Sequence, residues 1–194
     1  LCKSPLGKND KLLGLVLFIF VVAVAWGLCQ VFSGRGAYMH FGAMLGTIMV
    51  ANVFFVIMPG QRAMVAASEA GQAVDPSHGL KAKQRSVHNT YFTLPVLFVM
   101  ISNHYAMTYG HEFNWLILIG ISVAGALIRI FFVQRHFGKA SPVPLIAALL
   151  ILALIAAAIA PRPTSHDGDG GAVSFQQIQK IVQERCASCH AAIP

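Results

Sequence analysis

The chain has 194 residues, 56% of them hydrophobic and only 11% charged, with a mean hydropathy of +0.66. That composition belongs to a membrane protein and excludes an ordinary soluble domain or a disordered chain. The net charge of +7 does not point to nucleic acid, because Lys and Arg cluster at the ends of apolar runs and form no stripe interleaved with aromatics.

Five runs are apolar enough to span a hydrocarbon layer of about 30 Å, which takes about 20 helical residues. They cover residues 12–32, 39–58, 87–109, 114–133 and 142–160. A spanning segment satisfies its backbone groups as a helix or in a closed barrel, and runs this apolar are helices. The expected fold is therefore all-α: a polytopic bundle of about five spans over residues 1–160. The first run is too long for a secretory signal and is read as a span.

Between the second and third runs, residues 61–70 read as a short amphipathic helix ended by Gly71. Asp75 then offers an N-cap with Pro76 at the first helical position, so the third helix is expected to start well before the apolar run. Pro95 interrupts that helix, and Gly42 and Gly46 form a small-x-x-x-small pair suited to close packing.

Lys and Arg also orient the bundle. Lys3, Lys8 and Lys11 precede the first span, Arg62, Lys81, Lys83 and Arg85 lie in the second connection, and Arg135 and Lys139 lie in the fourth. The first connection has Arg35 alone and the third has Glu112. The positive-inside rule puts the N-terminal end in the cytoplasm and the tail outside.

After the fifth run, Pro161 to Gly171 is rich in Pro, Gly and Asp and reads as a flexible linker, reaching about 20 Å if unstructured. The linker region, residues 161–173, leads to a tail, residues 174–194, whose key feature is Cys186-Ala-Ser-Cys189-His190. Cys-x-x-Cys-His attaches a c-type haem: each thiol forms a thioether to one porphyrin edge, and the imidazole becomes the proximal iron ligand. A redox dithiol would want a βαβ setting and a zinc site further ligands at close spacing, and neither is visible. Ser174 and Gln177 make a capping box for a helix carrying Phe175, Ile178 and Val182 on one face, the opening of a cytochrome c domain. Only four residues follow His190 and the first residue is Leu1, so the sequence reads as a fragment cut at both ends and inactive by itself.

Polar side chains within spans are costly and mark function. They are His40 and Asn52 on the second run, His88, Asn89, Asn103 and His104 on the third, and Arg129 on the fourth. On a continuous helix His88 and His104 lie about 24 Å apart along the axis and about 160° around it, so they cannot share one metal. His40 and His104 fall at similar depth and could ligate a b-type haem or line a pocket, or each could make an interhelical hydrogen bond and nothing more. Tyr105, Tyr109, Asn114 and Trp115 read as interface anchors.

Two stretches, residues 40–61 and 83–105, together with the later spans and the C-terminal Cys-x-x-Cys-His, resemble the bacterial membrane-bound urate hydroxylases, urate oxidases with a fused cytochrome c domain. The resemblance implies an oxidoreductase that converts urate to 5-hydroxyisourate and passes electrons to a covalent haem c rather than to oxygen. It implies the bacterial cytoplasmic membrane, with the haem tail periplasmic, a bilayer and an electron acceptor as partners, and no nucleic acid. A urate site needs hydrogen-bond donors, an acid–base group and exclusion of bulk water. His104 and Asn103 toward the outside, or His88 and Asn89 toward the inside, are the candidates, with the outer pair favoured because the haem is outside. The competing functions are a membrane-anchored cytochrome moving electrons between quinol and a soluble carrier and, more weakly, a transporter-like bundle.

Overall fold

Apolar runs of this length fold as helices, and polar punctuation sets where each one starts and stops. The computed structural model describes residues 9–139, 141–160 and 173–187, and these contain helices and turns but no strand. They fall into two units, residues 1–158 and 159–194.

In the first unit, α1 (Asp10–Val31) starts where Asn9 Oδ1 accepts the amide of Leu12 at 3.2 Å. Next, α2 (Gly34–Asn52) runs through a π turn (Val53–Ile57) into α3 (Met58–Glu69). The π turn has a local cause. Pro59 lacks an amide hydrogen, and its ring would strike the Phe55 carbonyl in a regular helix. A wider turn in which the Met58 amide reaches back to Val53 O absorbs that conflict. The expected break between the second span and the helix at 61–70 is therefore absent: Gly34–Glu69 is one continuous 36-residue run. It ends at Gly71, whose φ of +64° suits glycine, with Gln72 N bonded to Ala67 O and Gly71 N to Ser68 O in a Schellman cap.

As expected, α4 (Pro76–Ile101) starts early. The Asp75 side chain accepts the Ser77 amide at 2.8 Å, and Pro76 occupies the first turn. The Ser77 hydroxyl and amide hold the Asp75 carboxyl below its ordinary range. The helix continues through Pro95 but stops at Ile101, short of the expected Tyr109. A 3-10 turn (Ser102–His104) and the short α5 (Ala106–Tyr109) replace its end. Ser102 Oγ bonds back to Val99 O at 2.6 Å and Thr108 Oγ1 to Tyr105 O at 2.8 Å, the local competition by which Ser and Thr end helices. Finally α6 (Asn114–His136) and the 17-residue α7 (Val143–Ile159) complete the unit.

Among the described residues three helices are long and apolar enough to cross a membrane: Leu12–Val31, Gly34–Glu69 and Asn114–His136. The N-terminal half of α4 carries Lys81, Lys83 and Arg85, and α7 is shorter than a typical span.

Packing joins α4 to α2 and α6, and α1 to the same two helices. Tyr38, Phe41 and Leu45 of α2 meet Val99 of α4 and Leu118 of α6 in a fully buried core. Tyr38 is its polar pin, with its hydroxyl 2.8 Å from Asn114 O and 3.2 Å from Thr108 O, and its ring edge-on to Tyr109. Tyr109 is thus a core residue rather than an interface anchor. Half of the glycine pair is used for close approach: a Cβ on Gly42 would lie 2.5 Å from Val99 Cγ1, whereas Gly46 has open space.

In the second unit, α8 (Phe175–Val182) begins with the expected capping box, Ser174 N accepted by Gln177 Oε1 at 2.9 Å and Gln177 N by Ser174 Oγ at 3.3 Å. A π turn (Gln183–Ala187) extends it through Cys186.

Candidate functional site

Helix α1, the N-terminal part of α4 and the middle of α6 diverge enough to form a cavity of about 930 Å³ within the first unit. That lies within the range of about 300–1,000 Å³ common for small-molecule sites. Its walls are mostly apolar: Leu17 and Phe18 of α1, Phe41 and Leu45 of α2, Phe92 and Pro95 of α4, Val123 and Leu127 of α6. Polar groups gather at one end, where α4 contributes Lys81, Lys83, Gln84, His88 and Tyr91. Lys81, Gln84, His88 and Tyr91 recur at three- and four-residue intervals, so a single helix face presents them together. Lys83 and Phe137 border the same end, with Nζ 5.0 Å from the ring centroid. Ser122 also lines the wall, with its hydroxyl bonded to Leu118 O of its own helix.

The residues singled out in sequence separate into three groups. His88 lines this cavity. Asn89, its neighbour, turns the other way. Its Oδ1 accepts Asn52 Nδ2 at 2.8 Å and its Nδ2 donates to Met49 O at 2.9 Å, an amide clasp between α2 and α4. The expected outer pair sits beyond the end of α4, in the 3-10 turn, and neither residue lines the cavity. The amide of Asn103 is engaged by Arg35, whose Nε donates to Oδ1 at 3.0 Å, and by Met39 Sδ at 3.4 Å, while His104 is exposed. Because that turn is not α-helical, the offsets drawn between His88 and His104 on one continuous helix do not apply. His40 is also exposed, with Nδ1 2.8 Å from Gly36 O and its ring stacked on Phe32 at 4.3 Å.

Sequence reasoning missed Arg85. It was counted as a connection residue for topology, yet its side chain is only 6% exposed and its Nε and Nη1 have no hydrogen-bond partner. It does not line the cavity, and it falls four residues before Asn89, toward the side of α4 that is clasped to α2.

A model of the urate oxidase N-terminal family matches residues 1–160. The chain belongs to this family. The match covers every helix of the first unit, so the urate oxidase N-terminal domain is this helical bundle with its cavity. No curated protein and no solved structure matches the chain.

The tail lies beyond the family match. Cys186 is a free, exposed thiol at the end of α8, and Phe175, Ile178, Ile181 and Val182 are all exposed beside it, Phe175 by 76%. An accessible thiol next to a bare apolar helix face fits a covalently attached, largely apolar macrocycle. Cys189 and His190, and the linker up to residue 172, lie outside the described residues.

Proposed function

We propose that this urate oxidase family member is a membrane-bound enzyme that oxidises urate to 5-hydroxyisourate in the cavity between α1, α4 and α6. The observation that carries the reading is the cavity itself: apolar and aromatic walls for a planar ring, with cationic and hydrogen-bonding groups collected at one end. Urate is a planar anion rich in amide-like groups, and such a cavity matches both of its properties.

The reaction adds the oxygen of one water to C5 of urate and releases two protons and two electrons. His88, which lines the cavity, would accept a proton from that water or from a ring N–H, a step worth about a hundredfold or more in rate when correctly positioned. Gln84 and Tyr91, within one turn of it, would orient the ring edge, and Phe92 would pack on its face. The surrounding apolar walls would exclude bulk water and strengthen each polar contact. The reading assigns the chemistry to His88 rather than to the outer pair Asn103 and His104, and its support is that His88 shares a cavity with further polar groups.

The electrons require an acceptor. Cys186 and Cys189 would hold a haem c through thioethers, with His190 as proximal iron ligand; when bound, that group supplies a one-electron acceptor, and peroxide is then not a product. With the Lys- and Arg-rich ends cytoplasmic, urate enters from the cytoplasm and the tail lies on the periplasmic side of a bacterial inner membrane.

The test uses full-length protein in membranes. Urate loss accompanied by haem reduction, without peroxide, is the expected result, and reduction by quinol but not by urate would instead assign an electron-transfer module. His88→Gln should lower kcat for urate about a hundredfold. A larger loss from His104→Gln than from His88→Gln would move the site to the outer end.

A further inference from the structure

We infer that Asn89 is a positioning residue for His88: its amide clasp to α2 sets the rotation of the N-terminal half of α4 and so keeps His88 on the cavity wall. The inference deepens the urate reading and rests on it for the role of His88.

A helix that walls a cavity lacks packing partners on that face, so its rotation about its own axis is fixed from its other faces. On α4 the cavity face runs through Lys81, Gln84, His88 and Tyr91. Asn89 lies about 100° around the helix from His88, on the side that meets α2. There one planar side-chain amide makes two bonds at once. Its oxygen accepts Asn52 Nδ2 at 2.8 Å, and its nitrogen donates to Met49 O at 2.9 Å. Met49 and Asn52 are three residues apart and share a face of α2. A single bond would let α4 pivot, whereas two bonds to one rigid plane hold both its position and its rotation. The Met49 carbonyl accommodates this second donor where the Val53 amide, at the start of the π turn, is divided between Met49 O and Val50 O.

Pro95 gives this anchor its importance. The core contact of Val99 with Gly42 of α2 lies beyond that proline. Pro95 has no amide to donate to the preceding turn, so the helix is weakened between Val99 and the cavity face. On the other side, the contacts of α3 with His78 and Gly79 lie more than two turns from His88. Asn89 holds the intervening segment directly. Side-chain tips lie about 6 Å from a helix axis, so a turn of about 10° carries the His88 ring about 1 Å sideways. A misplacement of about that size can cost about a hundredfold in rate. Neither Asn52 nor Asn89 lines the cavity, so the clasp acts on His88 rather than on the ligand.

The test uses full-length protein in membranes. Asn89→Leu should lower kcat for urate about 10- to 100-fold while KM stays within about threefold. Asn89→Gln, which keeps the amide, should recover part of the loss. Added to His88→Gln, Asn89→Leu should cost less than about threefold more, because a residue that acts through His88 then has nothing to position. A second readout needs no turnover. Carbethoxylation of His88 by diethyl pyrocarbonate, followed by peptide mass spectrometry, should slow severalfold in Asn89→Leu, while that of the exposed His40 and His104 is unchanged. Unchanged His88 modification in Asn89→Leu, or a kcat loss that adds in full to that of His88→Gln, would overturn the positioning role. If His88 modification responds to Asn89→Leu but His88→Gln oxidises urate normally, the clasp stands and the urate reading of this cavity falls. Asn52→Leu, which leaves Asn89 its bond to Met49 O alone, keeps the test decisive with the same expected signs if Asn89→Leu does not fold.

Discussion

Gly42 offers a quantitative test of how α2 and α4 are held together. A Cβ at this position would lie 2.5 Å from Val99 Cγ1 and 3.1 Å from Val99 Cβ. Val99 is 1% exposed and β-branched in a helix, where one rotamer dominates, so it cannot swing clear. Overpacking of this kind costs about 1–3 kcal/mol. Gly46, one turn later on the same helix, has nothing within 4 Å of its virtual Cβ. There alanine should be neutral or stabilising by up to about 1 kcal/mol, since Gly is the poorer helix former. Because that gain is common to both sites, Gly42→Ala should fall about 1–3 kcal/mol below Gly46→Ala when unfolding is followed in detergent micelles by thermal melting or by titration with a denaturing detergent. Adding Val99→Ala removes Cγ1, the atom in closest conflict. The double variant should be less destabilised than the sum of the two singles by about 1 kcal/mol or more. Equal stability of the two glycine variants, or strict additivity with Val99→Ala, would refute the claimed contact.

Three further outcomes follow from the geometry. Tyr38→Phe should lower stability by about 1–2 kcal/mol in the same assay, because the hydroxyl between Asn114 O and Thr108 O is lost and no water replaces it in the core. With Lys81 and Lys83 exposed at the cavity end, KM for urate should rise with ionic strength, and the slope should flatten in Lys83→Met; unchanged salt dependence in that variant would remove Lys83 from substrate capture. The Asp75 carboxyl is held below its ordinary range by Ser77, so its contribution to the α4 cap is present above that range and disappears as pH falls through the lowered value. Amide exchange at residues 77–79, corrected for its intrinsic pH dependence, should accelerate on such acidification in wild type and stay flat in Asp75→Asn, whose amide oxygen caps without titrating.

Much of the fold was readable because membrane helices announce themselves by hydrophobic length and their ends by caps. Asp75–Pro76, Gly71 and the Ser174–Gln177 box are local signals, and each sits where the spacing placed it. What could not be read depended on tertiary geometry. Pro59–Gly60 looks like a stop, yet the π turn before it lets the helix continue. The polar residues after Ile101 were counted as membrane helix because their neighbours are apolar, whereas Ser102 and Thr108 bond to nearby carbonyls and curl the chain. Asn89 and His88 are adjacent in sequence and read as a pair, but a helix turns successive residues about 100° apart, which sends one to a packing clasp and the other to the cavity. Arg85 passed as a topology marker because burial of a charge is not visible in a hydropathy pattern.

The widened turn at Val53–Ile57 sets the rotational phase of all that follows it. Relative to an unbroken α-helix it inserts one residue, which offsets α3 by about 100° and presents Gly60 to α4, where its virtual Cβ lies 3.5 Å from His78 O. Removing any one residue from the turn would leave a more regular helix that aims Gly60 elsewhere and brings a bulkier neighbour against α4. The segment should thus accept many exchanges of one apolar residue for another while tolerating no change in its length.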